Sequence, residues 1–192
     1  MTTPAGATTP SRSDETLGDV HTDIEIAAAP EDVFRALTDP EELAAWWGSE
    51  QTYRTRDWQI DARPGGAWSV RTIDQSGKEG TVHGRYLAVD APRLLECTWH
   101  ASWDDFAPTR IRYELAPATV DGVSGTRLIV THTGFADSAA CAVSAVTQAL
   151  GWTRTLEALA RYVRGRTRSS SRIIPITIRS SRHRGRLARA IA

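Results

Sequence analysis

The chain has 192 residues, 41% of them hydrophobic, which is enough for one domain with a real core and too few for two large ones. Its formal net charge of +0 hides a split: residues 164–192 hold nine arginines and no acid, while residues 1–163 hold 14 basic and 23 acidic residues, so a body of charge −9 carries a tail of charge +9. No run approaches the roughly 18 apolar residues of a membrane-spanning helix, and the polar N-terminus lacks the basic and apolar regions of a secretory signal, so a cytoplasmic protein is expected.

Residues 1–19 are rich in Thr, Ser, Pro and Gly and are expected to be disordered, because they offer almost no apolar surface against their ordering entropy. From Val20 to Ala28, Ile24 and Ile26 alternate with Asp23 and Glu25, which predicts a half-buried first strand. Pro30 then suits a first helical position, Glu31 and Asp32 favour the positive end of the helix dipole, and Val33, Phe34 and Leu37 supply a buried face. Thr38-Asp39-Pro40 ends that helix and begins a second over Glu41 to about Trp47, carrying Leu43, Trp46 and Trp47. Beyond Thr52 the period changes to two. Strands are predicted over 53–60, 66–74, 79–89, 94–102, 109–115 and 126–133, joined by turns such as Pro64-Gly65, Gln75-Ser76-Gly77 and Asp121-Gly122-Val123-Ser124-Gly125.

The longest helical period lies in 137–163, where Ala145, Ala149, Trp152, Leu156, Leu159 and Val163 recur at alternating steps of four and three and so share one face. The order β-α-α-β6-α implies an α+β domain in which a curved seven-stranded antiparallel sheet wraps around one long C-terminal helix. Residues 165–192 read as a basic, disordered tail; weak nonspecific attachment to nucleic acid or anionic lipid is its alternative, with no specific partner of either kind expected. Cys97 and Cys141 lack ligand spacing and read as buried small hydrophobes, with a disulfide as the other reading. Arginine outnumbers lysine 22 to 1, a bias associated with GC-rich bacterial coding.

The segment IEIAAAPEDVFRALTDPEELAAWWG, residues 24–48, resembles the opening of the activator-of-Hsp90-ATPase homologue-like family, within the START/Bet v 1-like (SRPBCC) superfamily. Further matches follow in order: Pro64-Gly65-Gly66-Ala67-Trp68, the stretch 84–94 with Thr98-Trp99, the strand 125–135 ending in Thr133-Gly134-Phe135, and Gly151-Trp152 with Leu156, Leu159, Tyr162 and Val163. The resemblance covers residues 20–164. It implies a helix-grip fold enclosing an apolar cavity between sheet and helix, and it leaves activity open because such folds host many functions.

Seven tryptophans stand in or beside this fold, and an aromatic ring with a polar N–H suits a pocket for an oxygenated hydrophobic molecule; plain core packing is the competing reading for each one. The expected cavity residues are Trp46, Trp47, Trp68, Tyr86, Leu95, Trp99, Tyr113, Leu128, Val130, His132, Phe135, Gly151, Trp152 and Leu156, with Cys97 and Leu115 also on the inward alternation. Gly151, mid-helix, calls for a compensating close approach by a strand or ligand, or else leaves room for an indole. His132 is either a ligand-polarising group or general base, or a hydrogen-bonded core histidine. Trp103 to Phe106 reads as a rim loop or an ordinary turn, and Glu96, Arg112 and Glu114 as convex-face ion pairs.

His83, His100 and His132 form no metal motif, and no nucleophile or dinucleotide pattern appears, so no metal and no cofactor is expected. The expected function is noncatalytic binding of a small hydrophobic molecule, aromatic or polyketide-like, by a monomer or homodimer. A cyclase- or hydrolase-like enzyme using His132 is the alternative, as is a cochaperone-like stress-response protein. The roughly 20 residues before the first strand weigh against the last.

Overall fold

The computed structural model describes residues 19–48, 52–103, 107–135 and 139–170, with side chains of the last segment described over 151–166. The disorder expected for 1–18 and 171–192, the Asp104–Phe106 loop and the side chain of Cys141 lie outside the described residues.

The elements are β1 (Val20–Ile26), α1 (Pro30–Thr38), α2 (Pro40–Trp46), β2 (Tyr53–Ile60), β3 (Ala67–Asp74), β4 (Glu79–Asp90), β5 (Leu94–Ala101), β6 (Thr109–Val120), β7 (Val123–Thr133) and α3 (Ala139–Ser170). The strands form one antiparallel sheet in the order β1-β7-β6-β5-β4-β3-β2. Register shifts in β2 at Arg56/Gln59, where Asp57 takes φ 56°, and in β4 at Tyr86/Ala88 add the local twist that lets the sheet curl. The result is a seven-stranded half-barrel with α3 against its concave face, the expected helix-grip fold.

Local chemistry explains the joints. Pro30 and Pro40 each begin a helix, and Asp39 caps α2 by accepting from the Glu41 and Glu42 amides at 2.9 and 3.0 Å. The β6–β7 hairpin is longer than expected. Its loop is only Asp121-Gly122, both at positive φ (52° and 78°), the backbone that a tight two-residue hairpin turn needs, so Val123 to Gly125 continue as strand instead of turn. Pro117 is tolerated in β6 because the nearby Leu115 amide donates to the carbonyl of Arg93, the residue just before β5 begins. Two residues on, the missing Pro117 donor faces the same side, beyond the first residue of β5, where no partner strand runs.

The core is the inward alternation of the strands: Val70, Val82, Tyr86, Leu95, Cys97, Ile111, Tyr113, Leu115, Leu128 and Val130 are all buried, and they meet Trp152, Leu156, Leu159 and Val163 of α3. Glu96, Arg112 and Glu114 pair on the opposite, convex face, with Arg112 2.8 Å from Glu96 and 3.2 Å from Glu114.

Helix α3 runs seven residues past Val163, where the apolar stripe stops and the basic tail is expected to begin. Electrostatics extends it. Glu42 of α2 is only 5% exposed, and its Oε1 accepts from Arg35 of α1 at 2.8 Å and lies 2.9 Å from Arg166 of α3, so one carboxylate ties three helices together. Arg166 also donates to the Tyr162 hydroxyl one turn earlier, at 3.1 Å.

Candidate functional site

Where β3 ends and β4 begins, inward alternation delivers small or short side chains, whereas farther along the sheet it delivers Tyr86, Leu95, Ile111 and Tyr113. From Trp68, β3 continues inward with Val70 and Thr72; β4 begins inward with Gly80 and Val82. Opposite them stand Gly151, Trp152 and Thr155 of α3, and Trp47 follows α2. The space left between these walls is a cavity of about 610 Å³, within the range of small-molecule sites.

Trp47 is the hub of its aromatic wall. Its ring centroid lies 5.1 Å from Trp46, 5.6 Å from Trp58, 5.9 Å from Trp152 and 6.1 Å from Trp99, the last nearly parallel at 23°. Most indole N–H groups are committed to the protein: Trp46 to the Ala36 carbonyl, Trp47 to the Tyr53 hydroxyl, Trp58 to Thr55 and Trp68 to the Thr98 carbonyl. Trp99 and Trp103, which both line the cavity, donate to no acceptor among the described residues. Hydroxyls of Tyr53, Thr55, Thr72, Ser102 and Thr155 complete the lining.

The deep walls carry no charge. Burial pushes the Tyr53, Tyr86 and Tyr113 hydroxyls up, and pushes the Cys97 thiol up to about 12, so all four stay protonated at neutral pH. Charge is confined to the rim at Asp74, Lys78 and Glu79. Asp74 is held below the usual carboxylate range by hydrogen bonds from the Ser76 hydroxyl and the Lys78 and Ser76 amides; Glu79 is held down chiefly by Arg71, with Arg56 adding to it. Both acids are thus occupied within the protein.

His132 lies beneath this cavity and is 1% exposed. The Trp152 indole, which can only donate, gives its N–H to Nδ1 at 3.1 Å, so the proton of the neutral ring sits on Nε2. Nε2 then donates to the Thr109 hydroxyl at 2.7 Å, and that hydroxyl donates to the Trp99 carbonyl at 3.3 Å. Desolvation lowers the His132 pKa to about 4. With both nitrogens engaged and the ring kept neutral, His132 has no lone pair to offer a substrate. It is the hydrogen-bonded core histidine of the two sequence readings.

Of the residues expected at a cavity, Trp47, Trp99, Gly151 and Trp152 line this one. Trp68, Tyr86, Leu95 and Tyr113 border a narrow gap of about 30 Å³ deeper in the core, and Trp68 also reaches a separate groove shared with Ser69 and Arg85. Trp46, Leu128, Val130, His132 and Leu156 are buried in packed core, and Phe135, half-buried, packs against His132 at 4.7 Å between centroids. Sequence reasoning missed Tyr53, Thr55, Thr72, Gly80, Val82, Ser102 and Thr155. Extending the inward alternation from Trp68 to Thr72 and from Val82 back to Gly80 would have found the sheet wall.

Gly151 has no compensating neighbour: a Cβ there would meet nothing within 4 Å. The expected close approach of a strand, or a tightly fitted indole, is therefore not what the glycine provides. Gly151→Ala should stabilise the protein by about 0.5–1 kcal/mol through helix propensity and unfolded-state entropy. Denaturant unfolding measures this, and a loss of stability would show that the site needs the bare backbone.

Among the described residues, no three His, Cys, Asp or Glu side chains converge on a metal site, and no helix is long and apolar enough to cross a membrane.

Residues 27–164 match the profile of the family described as Activator of Hsp90 ATPase homolog 1-like protein. Among solved structures, the AHSA1 protein from Silicibacter pomeroyi is 25% identical with a TM-score of 0.64, covering 77% of this chain and 99% of its own. A protein from Chromobacterium violaceum is also 25% identical, with a TM-score of 0.62 and coverage of 74% and 95%. One from Arthrobacter aurescens shares the fold at 18% identity and a TM-score of 0.65, covering 82% and 93%. Among curated proteins no sequence matches this chain.

Proposed function

The chain belongs to the Activator of Hsp90 ATPase homolog 1-like family, and from that premise we propose that it is a cytoplasmic binding module for a small, mostly aromatic molecule carrying hydrogen-bond acceptors. The observation that carries this reading is the cavity of about 610 Å³, walled by Trp47, Trp99, Trp103 and Trp152, with two indole donors left unpaired among the described residues. Aromatic walls favour a planar apolar body, and unpaired donors favour a carbonyl, ether or phenolate at its edge. Polyketide-like phenols have both features.

The test is titration with a panel of polycyclic phenols and quinones, following tryptophan emission and thermal unfolding together. A ligand at 100 times its Kd should quench emission and add about 2.7 kcal/mol to stability. If no member of the panel does either, the reading fails.

Trp103 should tune affinity. It is 54% exposed at the rim, and its ring lies so close to Gly80 that a Cβ there would sit 2.6 Å from Cε3 and Cζ3. Gly80→Ala therefore displaces the indole outward. Affinity should fall roughly tenfold, about 1.4 kcal/mol, while folding stability, which the exposed ring hardly supports, moves by less than about 0.5 kcal/mol. An unchanged Kd would remove Trp103 from the site.

A second reading follows from the family's own description: cochaperone-like contact with an Hsp90-type ATPase. Stimulation of a purified ATPase of that type, undiminished when the cavity is filled, would favour it over ligand binding.

A further inference from the structure

On the convex face of the sheet, away from the cavity, His83 of β4 and His100 of β5 are directly paired across the strands. Their ring centroids are 5.1 Å apart and their planes cross at 74°. Both face a groove of about 630 Å³ that also takes in Ser69, Thr98, Arg85 and Asp61.

Neither imidazole has a hydrogen-bond or ion-pair partner among the described residues, although polar groups surround them. The Arg85 guanidinium is turned to the Gly65 carbonyl at 3.1 Å, and Asp61 is held by Arg63 at 3.0 Å. Two ring systems with free nitrogens are thus held side by side by a rigid pair of central strands.

We propose that His83 and His100 form a two-point site for a late first-row divalent ion, Cu(II) above Ni(II) or Zn(II). Metal–nitrogen bonds of about 2.0–2.1 Å, with an angle of about 90° at a tetragonal ion or about 110° at a tetrahedral one, place the ring centroids roughly 4.5–5 Å apart, close to the 5.1 Å found here. Neutral imidazole suits these ions, and their usual order of affinity puts copper first. The protein supplies two ligands, so the remaining positions go to water or to a donor on a second molecule in the groove. The other histidines described cannot compete: His132 is sealed in the core with both nitrogens used, and His21 lies on the edge strand β1, separated from β5 by β7 and β6. The Cys97 thiol is buried and held protonated.

The test uses the full chain and copper alone. One equivalent of Cu(II) should give an electron paramagnetic resonance spectrum whose superhyperfine pattern counts two imidazole nitrogens. Because two linked ligands gain much of their affinity from being held together, His83→Gln and His100→Gln should each weaken binding on the order of a hundredfold, and the double variant should lose the equivalent. Both positions are on the outer face, so circular dichroism should report an unchanged fold, and cavity ligands should bind all variants alike. A wild-type spectrum with fewer than two imidazoles overturns the proposal without reference to any variant. So does full copper binding by the double variant.

Discussion

Replacing His132 by Leu should destabilise the protein by about 2–4 kcal/mol at pH 7, because the change leaves the buried Trp152 N–H without an acceptor and takes one of two hydrogen bonds from Thr109. The unpaired Trp152 N–H costs about 1–3 kcal/mol, and the Thr109 hydroxyl, which still donates to the Trp99 carbonyl, gives up one further hydrogen bond worth about 1 kcal/mol. His132→Asn should recover part of the loss, since its amide oxygen can stand near the position of Nδ1. The pH dependence is the sharper test. The folded-state pKa of about 4 lies below the usual 6.5, so the unfolded chain binds the proton first as pH falls. The stabilising contribution of the neutral ring is therefore complete above about pH 6.5 and lost progressively down to about pH 4, to a total on the order of 3 kcal/mol. Carboxylates add their own acid sensitivity, but they do so in both proteins. Wild type and His132→Leu should therefore converge in stability between pH 6.5 and 4. Parallel curves from urea melts across that window would show that another group carries the dependence.

What the sequence disclosed about this fold followed from period. Strand alternation placed Leu95, Cys97, Tyr113, Leu115, Leu128, Val130 and His132 inward, and helical spacing placed Trp152, Leu156, Leu159 and Val163 on one face, because burial imposes those periods directly. Two boundaries escaped for a physical reason. The last turns of α3 are held by Arg166 on Glu42 and Tyr162, partners 124 and four residues away, and no local pattern announces the first of these. The β6–β7 hairpin runs to Asp121-Gly122 because two adjacent residues accept positive φ, while the glycine at 125 suggested a longer turn.

The cavity was harder to read than the core. A core is marked by large apolar residues, whereas a cavity is marked by what is missing from the inward positions. Gly151 stands out as a mid-helix glycine, but Thr72, Gly80 and Thr155 read individually as ordinary strand and helix residues; only the curl of β2–β5 against α3 sets them opposite one another. The same distinction explains why Leu128 and Val130, as strongly inward as any residue, line packed core: they stand on β7, on the half of the sheet that α3 and the neighbouring side chains fill.

Thr72→Trp should abolish ligand binding while leaving the fold intact. The residue stands on β3 two positions beyond Val70, so pleating directs its side chain into the cavity, and an indole there occupies the space the ligand needs. Tryptophan is well accepted in a pleated strand, and the receiving space already exists, so the overpacking cost of about 1–3 kcal/mol usual in a full core does not arise. Stability should change by less than about 1 kcal/mol, while affinity for any phenol or quinone bound by the wild type falls at least about a hundredfold, roughly 2.7 kcal/mol. Thr72→Ala, which enlarges the same space and removes one hydroxyl, should alter affinity by less than about tenfold. The pair separates filling the cavity from losing a hydrogen bond. Retained binding in a folded Thr72→Trp protein would place the ligand elsewhere and return the tryptophan wall to a purely structural role.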